Sequence, residues 1–425
     1  MKKLQLVFAA LTIIFLAVSC HRGNVMIVND GENELSIYYS GEIKFNDDET
    51  GIKSITPDGY LHYKKNDRKL NAECDYHGQI KYELSDNGKK IDVNSEDGKK
   101  ILAIAIRDMI DMGFDAKGRL QRIYAKGGNH AVLNEIDNLK SDYVKAMYMD
   151  FLISSDSISQ NDLKLVIKKV GSEIGSDFDK GNLLRNIPAK YFQDSVISGN
   201  WFESVRSIGS DFEKSNALKY IAKQQLSNEQ VNDLIDVEES MGSDFEKSNV
   251  LKDLINKSSF NDGYLNKTMD AINNIGSDFE KVNLLKLVME KEKQTGANFD
   301  RMLDATEHVG SDFDKQNLIK ELIGPGIPVD ASFDKLMSIV NHIGADFDRV
   351  NLIKEVVSKN IQTDKEWITI INSTAEIGSD FDKSNLLVAI APTMPKSDNV
   401  KMAYTKAAKT INSEQDYGRA MKAMD

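Results

Sequence analysis

Two carboxylates recur in the phrase Gly-Ser-Asp-Phe-(Asp/Glu)-Lys-x-Asn, whose first strong copy places them at Asp177 and Asp179. Paired carboxylates can serve as general acid and base or can bind Ca²⁺. An enzyme, however, needs one unique constellation of groups, and this pair stands in seven copies of the phrase. We therefore predict neither catalysis nor a metal site at these acids.

Few other residues in the chain have the types and spacing that chemistry needs. Cys74, His77 and His62 could bind zinc, but they lack a fourth ligand and a paired Cys-x-x-Cys. The acids at 47–49 could bind a cation, although we favour an exposed acidic turn. The chain has no phosphate-binding loop, nucleotide-binding glycine motif, Gly-x-Ser-x-Gly or His-Glu-x-x-His. We predict that the protein is not an enzyme and has no cofactor or metal.

Helix ends account for the glycine, the serine and the acids of the phrase. We expect Gly209 to adopt the left-handed conformation that ends one helix, and Ser210 to cap the next helix. Ser210 and Glu213 have the spacing of a capping box, and Asp211 suits the positive end of the helix dipole. The same serine–glutamate spacing occurs at 243 and 246 and at 277 and 280.

The phrase recurs at steps of 33 or 34 residues, beginning at Gly175. The other strong copies begin at Gly209, Gly242, Gly276, Gly310, Gly344 and Gly378, and weaker copies lie at 141–143 and 413–417. A period of about 20 to 50 residues is typical of stacked supersecondary units. We predict one helix pair per repeat and a right-handed α-solenoid built from these pairs.

Apolar pairs five and six residues after each Phe, such as Leu284 and Leu285, form a stripe that we predict to be core. At about 100° per residue, the Phe and the Asn of the phrase lie on the other side of the helix. The Phe row is Phe178, Phe212, Phe245, Phe279, Phe313, Phe347 and Phe381, and the Asn row is Asn182, Asn216, Asn249, Asn283, Asn317, Asn351 and Asn385.

Two interpretations of these rows are open at this point. In the first, each Phe packs into the neighbouring repeat and each Asn bonds a buried group between repeats, so the rows form a structural ladder. In the second, the rows line a groove and offer aromatic contact and amide hydrogen bonds to an extended peptide or a glycan. We favour the ladder.

The chain before the repeats has a different periodicity. Residues from Leu35 to Val93 alternate with period two, and Asn87-Gly88 is a strong hairpin signal because its turn requires positive φ at both positions. Helical periodicity begins near Glu96, and its second segment ends at Gly127-Gly128. We predict an α+β multidomain protein with a small antiparallel β-meander at 20–95, a helical linker or cap at 96–139 and the α-solenoid at 140–425.

The first 19 residues have the features of an export signal. Two lysines precede an uncharged apolar stretch from Leu4 to Val18, which is too short to span a bilayer but suits a signal peptide. The stretch ends in Ala17-Val18-Ser19-Cys20, which resembles a bacterial lipobox and implies that Cys20 carries a lipid. The usual leucine is Ala17 here, so an ordinary cleaved signal peptide is the alternative. Both interpretations predict export.

The repeats resemble the α-solenoid families with tetratricopeptide or HEAT-like units, although the Trp-x-x-Leu-Gly-x-x-Tyr phrase of a true tetratricopeptide is missing. The phrase Ser-Asp-(Phe/Tyr)-(Asp/Glu)-Lys resembles more closely repeats of exported bacterial proteins, some linked to β-lactam-sensor-type membrane metallopeptidases. Ile43 to Ile55 and Gly127-Gly128 look similar to a strand-rich segment that precedes those repeats. The resemblance implies a scaffold for peptides or proteins, and no activity carries over.

We therefore expect an exported, lipid-anchored scaffold on the periplasmic or outer-membrane face of a bacterial envelope, which binds a protein or peptide and touches the membrane through its N-terminal lipid. The alternative is an envelope sensor or regulator that binds a cell-wall fragment or glycan through the β domain or the groove. The formal net charge of -12 argues against nucleic acid as a partner, because such binding needs basic patches.

Overall fold

The computed structural model describes residues 12–14, 24–29, 34–257, 262–292, 295–328, 331–359, 361 and 363–424. The chain forms two compact units, Met1–Asn186 and Ile187–Asp425. Their boundary falls inside the region for which the sequence predicts repeats, so each unit contains part of the repeat series.

The described part of the first unit begins with strands. They are β1 (Thr12–Ile14), β2 (Asn24–Asn29), β3 (Glu34–Ser40), β4 (Ile43–Phe45), β5 (Ile52–Ile55), β6 (Tyr60–Lys65), β7 (Arg68–Cys74), β8 (Ile80–Asp86) and β9 (Lys89–Ile91). Seven form an antiparallel sheet in the order β1-β2-β3-β6-β7-β8-β9, and β4 pairs with β5. The sequence predicts alternation only from Leu35 in β3, so the prediction does not include β2. Strand β1 lies within the predicted leader, and the leader itself stays a prediction.

Alternation of side chains places one face of this sheet in the core. Leu35 and Ile37 in β3 and Leu84 in β8 are buried, as period two predicts. The hairpin at Asn87-Gly88 joins β8 to β9 with φ of 50° and 75°, which confirms the predicted turn.

The first helix completes this core. It is α1 (Glu96–Asp111), whose N-cap Ser95 accepts a hydrogen bond from the Gly98 N–H at 3.0 Å. Its apolar side, which includes Ile106 and Met109, packs against buried residues of the sheet. The helix is therefore part of the β core as well as the start of the helical region.

Four more helices lie in the first unit: α2 (Ala116–Ile136), α3 (Asp142–Ile153), α4 (Gln160–Glu173) and α5 (Asp177–Arg185). Inside α2, Gly127 and Gly128 leave helical geometry, and Gly128 has a φ of 63°. Arg119 and Glu135 bond at 2.8 Å, whereas 16 residues of straight helix span about 24 Å. The glycine pair therefore ends the first segment, as predicted, and turns the chain back.

The second unit begins with a 3-10 turn at Ala189–Gln193 and continues with helices. These are α6 (Ser195–Arg206), α7 (Asp211–Ala222), α8 (Asn228–Glu239), α9 (Asp244–Lys257), α10 (Asp262–Asn273), α11 (Asp278–Lys291), α12 (Gly296–Glu307), α13 (Asp312–Ile323), α14 (Phe333–Asn341), α15 (Asp346–Val357), α16 (Asp364–Ala375), α17 (Asp380–Ile390), α18 (Asp398–Ala408) and α19 (Glu414–Met424).

Two layers of helices result in the second unit. The helix that begins with the phrase, such as α7, packs against the equivalent helix of the next repeat, α9, and the preceding helices, such as α6 and α8, pack on each other in the same way. The apolar pair five and six residues after each Phe is buried in every strong copy, as predicted. The β-meander followed by an α-solenoid of helix pairs is therefore confirmed.

The corners between paired helices differ from the prediction in one respect. Gly209 and its counterparts are not among the glycines with positive φ, so the left-handed helix end predicted for them is wrong. Serine caps are present: the hydroxyl oxygen of Ser210 accepts from the Glu213 N–H at 3.4 Å, and that of Ser277 accepts from the Glu280 N–H at 3.4 Å.

The capping box expected at Ser277 is also incomplete. In α11, which is fully described, only the serine half of the box forms. The carboxylate of Glu280 instead accepts from Ser248 Oγ at 2.6 Å and from Lys252 Nζ at 3.1 Å in the preceding repeat. The reciprocal box does form elsewhere, at Ser227 with Gln230.

Candidate binding surface

The first acid of the phrase joins neighbouring repeats. Asp346 Oδ2 accepts from the Gly378 and Ser379 N–H groups of the next corner, each at 3.0 Å. The equivalent acids accept from backbone N–H groups of the next corner at 2.8 to 3.1 Å. These pairs are Asp142 with the N–H groups of residues 175 and 176, Asp211 with those of 242 and 243, Asp278 with those of 310 and 311, Asp312 with that of 344, and Asp380 with those of 412 and 413. The acid therefore bonds between repeats, a role that helix capping alone does not give it.

This contact also explains the glycine. A Cβ at Gly310 would lie 2.9 Å from Asp278 Oδ2, and one at Gly378 would lie 3.0 Å from Asp346 Oδ2, which is closer than ordinary contact. The approach of the carboxylate therefore leaves little room for a side chain at these two corners, and no left-handed backbone is involved. Asn412 takes the glycine position in the last repeat and still donates its N–H to Asp380 at 3.0 Å.

The lysine of the phrase makes a second link between repeats. Lys281 Nζ donates to the His308 carbonyl at 3.3 Å, and Lys383 Nζ donates to the Thr410 carbonyl at 3.3 Å. In each case the acceptor lies at the end of the first helix of the following pair, where the helix dipole favours a cation. Arg349 replaces the lysine in one repeat and reaches the Glu376 carbonyl at 3.3 Å.

Replacing Asp346 with alanine tests the link between repeats. We expect the free energy of unfolding of the second unit to fall by about 2 kcal/mol, because hydrogen bonds to a charged acceptor are worth about 1.5 to 3 kcal/mol. Asp348→Ala is the matched control, since Asp348 shares the first turn of α15. It should cost at most about 1 kcal/mol through the helix dipole. Urea unfolding followed by circular dichroism measures both, and equal losses would contradict the assignment.

The Phe row is exposed. Its seven side chains keep between 58% and 71% of their surface accessible: Phe178, Phe212, Phe245, Phe279, Phe313, Phe347 and Phe381. The favoured interpretation, in which each Phe packs into the neighbouring repeat, is therefore wrong for the Phe row. Single exposed apolar residues are normal, but one ring at the same position of the successive repeats of the second unit forms a regular aromatic surface.

The Asn row is half-buried and makes few bonds. Asn182 Oδ1 accepts from Arg185 at 2.5 Å, Asn216 Oδ1 from Lys219 at 3.4 Å and Asn385 Oδ1 from Arg419 at 2.7 Å. Among the described residues, no side-chain hydrogen bond is formed by Asn249, Asn283, Asn317 or Asn351. Only the bond at Asn385 crosses between repeats, so a continuous structural ladder of Asn side chains is absent from the described chain.

Arg419 contacts the end of the rows, and the sequence-based predictions do not include this contact, although the position of Arg419 in the repeat indicates it. It stands 34 residues after Asn385 and therefore takes the Asn position in the final, degenerate repeat. Its guanidinium carbon lies 5.7 Å from the centre of the Phe381 ring, and the same group donates to Asn385. A cation of the chain thus contacts the last Phe and Asn of the rows, although the Phe381 ring stays 59% exposed.

The acidic turn of the β domain is not simply exposed, as the sequence suggested. Asp48 bonds Thr50, but Glu49 is ion-paired to the buried Arg119 through Nε at 2.5 Å and Nη2 at 3.0 Å. Arg119 also bonds Glu135 and the Tyr148 hydroxyl. Burial lowers the pKa of Arg119, but bonds to these partners outweigh it and raise that pKa above its usual value. The cluster ties the β domain to the following helices.

Glu238, near the end of α8, is fully buried and neither carboxylate oxygen has a hydrogen-bond partner. Burial raises the pKa of Glu238 to about 8. The positive charge of Lys247 lowers this pKa, and the negative charges of Glu239 and Asp244 raise it further. The positions that correspond to it in the following repeats are the buried Ile272, Thr306, Val340, Thr374 and Ala408. A carboxyl group thus occupies a core position.

The remaining candidate groups are the two cysteines and the acidic and histidine side chains. Cys20 lies outside the described residues, and Cys74 is a buried free thiol. Over the described ranges, no cluster of three or more His, Cys, Asp or Glu side chains is arranged to hold a metal ion. Within the same ranges, no helix has the length and apolar character to cross a membrane.

Comparison with known proteins adds little to this picture. No protein-family model and no curated protein matches the chain. One solved structure, described as computational design of self-assembling cyclic protein homooligomers, covers 75% of this chain and 95% of its own. It is 11% identical with a TM-score of 0.11, too low to support any argument.

Proposed function

We propose that the protein is an exported, lipid-anchored, non-enzymatic scaffold of the bacterial envelope, and that its repeats bind a protein or peptide through the Phe row. The observation that carries the proposal is the exposure of one Phe in each strong repeat. The Asp and Lys side chains of the same phrase are used between repeats, so the rings are the part of the phrase left for a partner.

Aromatic side chains are frequent at the centres of interfaces, because they bury a large apolar area with little loss of conformational freedom. Helix-pair arrays present long binding surfaces made of equivalent positions. The resemblance of the phrase to repeats of exported bacterial proteins and the lipobox-like end of the leader, Cys20, support the envelope location.

The test is a cross-linking pull-down from envelope membranes with the full chain. In one variant Phe279, Phe313 and Phe347 become serine, and in the matched control Leu165, Val196 and Met402, three exposed apolar residues outside the row, become serine. We expect the first variant to lose a defined partner that the control retains. Both should unfold near the wild-type temperature, since exposed positions contribute within about 0.5 kcal/mol. A partner retained by the Phe variant would contradict the proposal.

The anchor is tested with the same preparations. Palmitate labelling and membrane retention should be lost in Cys20→Ser, whereas partner capture by the detergent-solubilised chain should persist. Labelling of Cys20→Ser at the wild-type level would reject the anchor and leave the binding surface to be judged separately.

The second candidate, a glycan or cell-wall fragment sensor, rests on aromatic groups of the β domain. Tyr38 is exposed in β3 opposite His62 of β6, whose ring stacks on Tyr60 with centroids 4.7 Å apart. Such a surface suits the face of a sugar ring. Muropeptide binding that Tyr38→Ser abolishes and the Phe-row variant leaves intact would favour this candidate.

A further inference from the structure

The Phe and Asn rows of the second unit contact cations of the chain itself at both ends. At the final end, the Arg419 guanidinium lies over Phe381 and donates from Nη2 to Asn385 Oδ1 at 2.7 Å. At the beginning of the unit, Lys219 Nζ donates to Asn216 Oδ1 at 3.4 Å. Arg419, which also pairs with Asp416 at 3.0 Å, therefore shows that a Phe and Asn pair can accept a guanidinium, whereas the contact of Lys219 is with the Asn.

Between these ends lie four repeats whose Phe and Asn pairs are open. They belong to α9, α11, α13 and α15, and their pairs are Phe245 with Asn249, Phe279 with Asn283, Phe313 with Asn317 and Phe347 with Asn351. The rings are exposed, and in the described chain the four amide groups make no side-chain hydrogen bond. These four pairs are called the open pairs below.

The lysine that follows each Asn by three residues does not bond the Asn of these pairs as Lys219 bonds Asn216. Lys252 is ion-paired to Glu280 at 3.1 Å, and Lys286 to Glu321 at 3.4 Å, both in the following repeat. Lys320 and Lys354 are exposed and make no bond to Asn317 or Asn351 within the described residues. The Asn carbonyl oxygens of the open pairs are thus free to accept.

We propose that the open pairs bind arginine side chains of an extended, basic segment of a partner protein, one arginine per repeat. Each ring would take the guanidinium face, and each Asn Oδ1 would accept from it, as Phe381 and Asn385 do with Arg419. The inference rests on the proposed function, since it names the chemistry of the partner at the same surface.

Spacing supports an extended partner. Helices that begin with the phrase pack on their counterparts in the next repeat, and packed helices lie about 8 to 10 Å apart. Three extended residues span about 10 Å, so arginines at every third position match the repeat. The formal net charge of -12, which belongs to the chain as a whole, also favours the approach of a basic segment.

The experiment uses the purified full chain and fluorescent peptides. The probe carries four arginines at every third position, with serine and glycine between them. The comparison peptides have the four arginines adjacent, or have lysine or glutamate in place of arginine. Fluorescence anisotropy at low and at moderate ionic strength should rank the spaced arginine peptide first and the glutamate peptide last, and binding should weaken with salt.

Variants locate the binding. Each of Phe279→Ala and Phe313→Ala should lower the affinity for the spaced arginine peptide by about two- to fivefold, the usual range for an exposed cation–π contact. Phe381→Ala is the matched control, because Arg419 already lies over that ring. It should leave the affinity for the four-arginine peptide unchanged. Arg419→Gln should make the pair of Phe381 and Asn385 available to the peptide and raise the affinity for a five-arginine peptide by about two- to fivefold.

Several results would overturn the inference: stronger binding of the glutamate peptide, equal binding of spaced and adjacent arginines, or equal losses in Phe279→Ala and Phe381→Ala. If the arginine peptides fail while the membrane pull-down still depends on the Phe row, the scaffold function stands and only the arginine chemistry is wrong. If neither experiment depends on the row, both proposals fail.

Discussion

Replacing Arg119 with methionine should destabilise the first unit by about 3 to 5 kcal/mol, the usual cost of removing one partner from a buried ion pair. The side chain of Arg119 is buried and bonds Glu49 in the β domain and Glu135 in the second half of α2. Methionine fills a similar volume but leaves the partly buried Glu49 without its cation and Glu135 with only the more distant Arg107, at 4.0 Å. Differential scanning calorimetry of the full chain should show the transition of the first unit shifted to lower temperature.

Arg122→Met is the matched control for this variant. Arg122 lies one turn further along α2 and pairs with Asp115 at 2.9 Å on a more exposed surface. An exposed pair contributes about 0 to 1 kcal/mol, so this variant should change little. Adding Glu49→Gln to Arg119→Met should recover part of the loss, because one unpaired charge is removed. Equal effects of Arg119→Met and Arg122→Met would show that the cluster does not hold the β domain to the helices.

Replacing Glu238 with valine should stabilise the second unit at neutral pH. The pKa of Glu238 is raised from 4.5 to about 8 by burial, so the folded state binds its proton more tightly than the unfolded state does. The stability from the protonated carboxyl is fully present below pH 4.5 and is lost as the pH rises towards 8. At pH 7 this loss is about 3 kcal/mol relative to acid conditions. Valine, present at 340 in the same position, carries no proton.

Urea unfolding at pH 5 and at pH 7.5 measures this effect. The difference between Glu238→Val and the wild type should grow with pH, mostly because the wild type weakens. Glu238→Gln separates charge from polarity: it should remove the pH dependence while keeping a buried polar group without a partner. Parallel pH profiles for the three chains would mean that the pKa of Glu238 is not raised in the folded protein.

Partner binding and arginine recognition at the Phe row both require that the next repeat leave the Phe rings exposed, which only the structure shows. Helical periodicity placed Phe279 and Asn283 opposite the core stripe, but it could not tell whether the next repeat covers them. The stacked helices leave the ring exposed and bring the Asp and Lys of the phrase to the neighbouring corner. A helical wheel describes one helix, whereas coverage depends on the distance and angle to the next.

The sequence by itself determined the local features of this protein. The repeat of about 34 residues, the buried apolar pairs, the serine caps, the Asn87-Gly88 turn and the break at Gly127-Gly128 all follow from hydrogen bonds and side-chain periodicity within a few residues. Such features are encoded where they occur, so they could be predicted.

The tertiary structure decided the contacts between distant residues. Glu49 meets Arg119 across 70 residues, Asp346 meets Gly378 across 32, and Glu238 enters a core position that other repeats fill with apolar or small residues. Each depends on how whole helices stack, which no local pattern encodes. The glycine and acid of the phrase were accordingly predicted to act at helix ends, whereas packing joins them across repeats and leaves the Phe row to solvent.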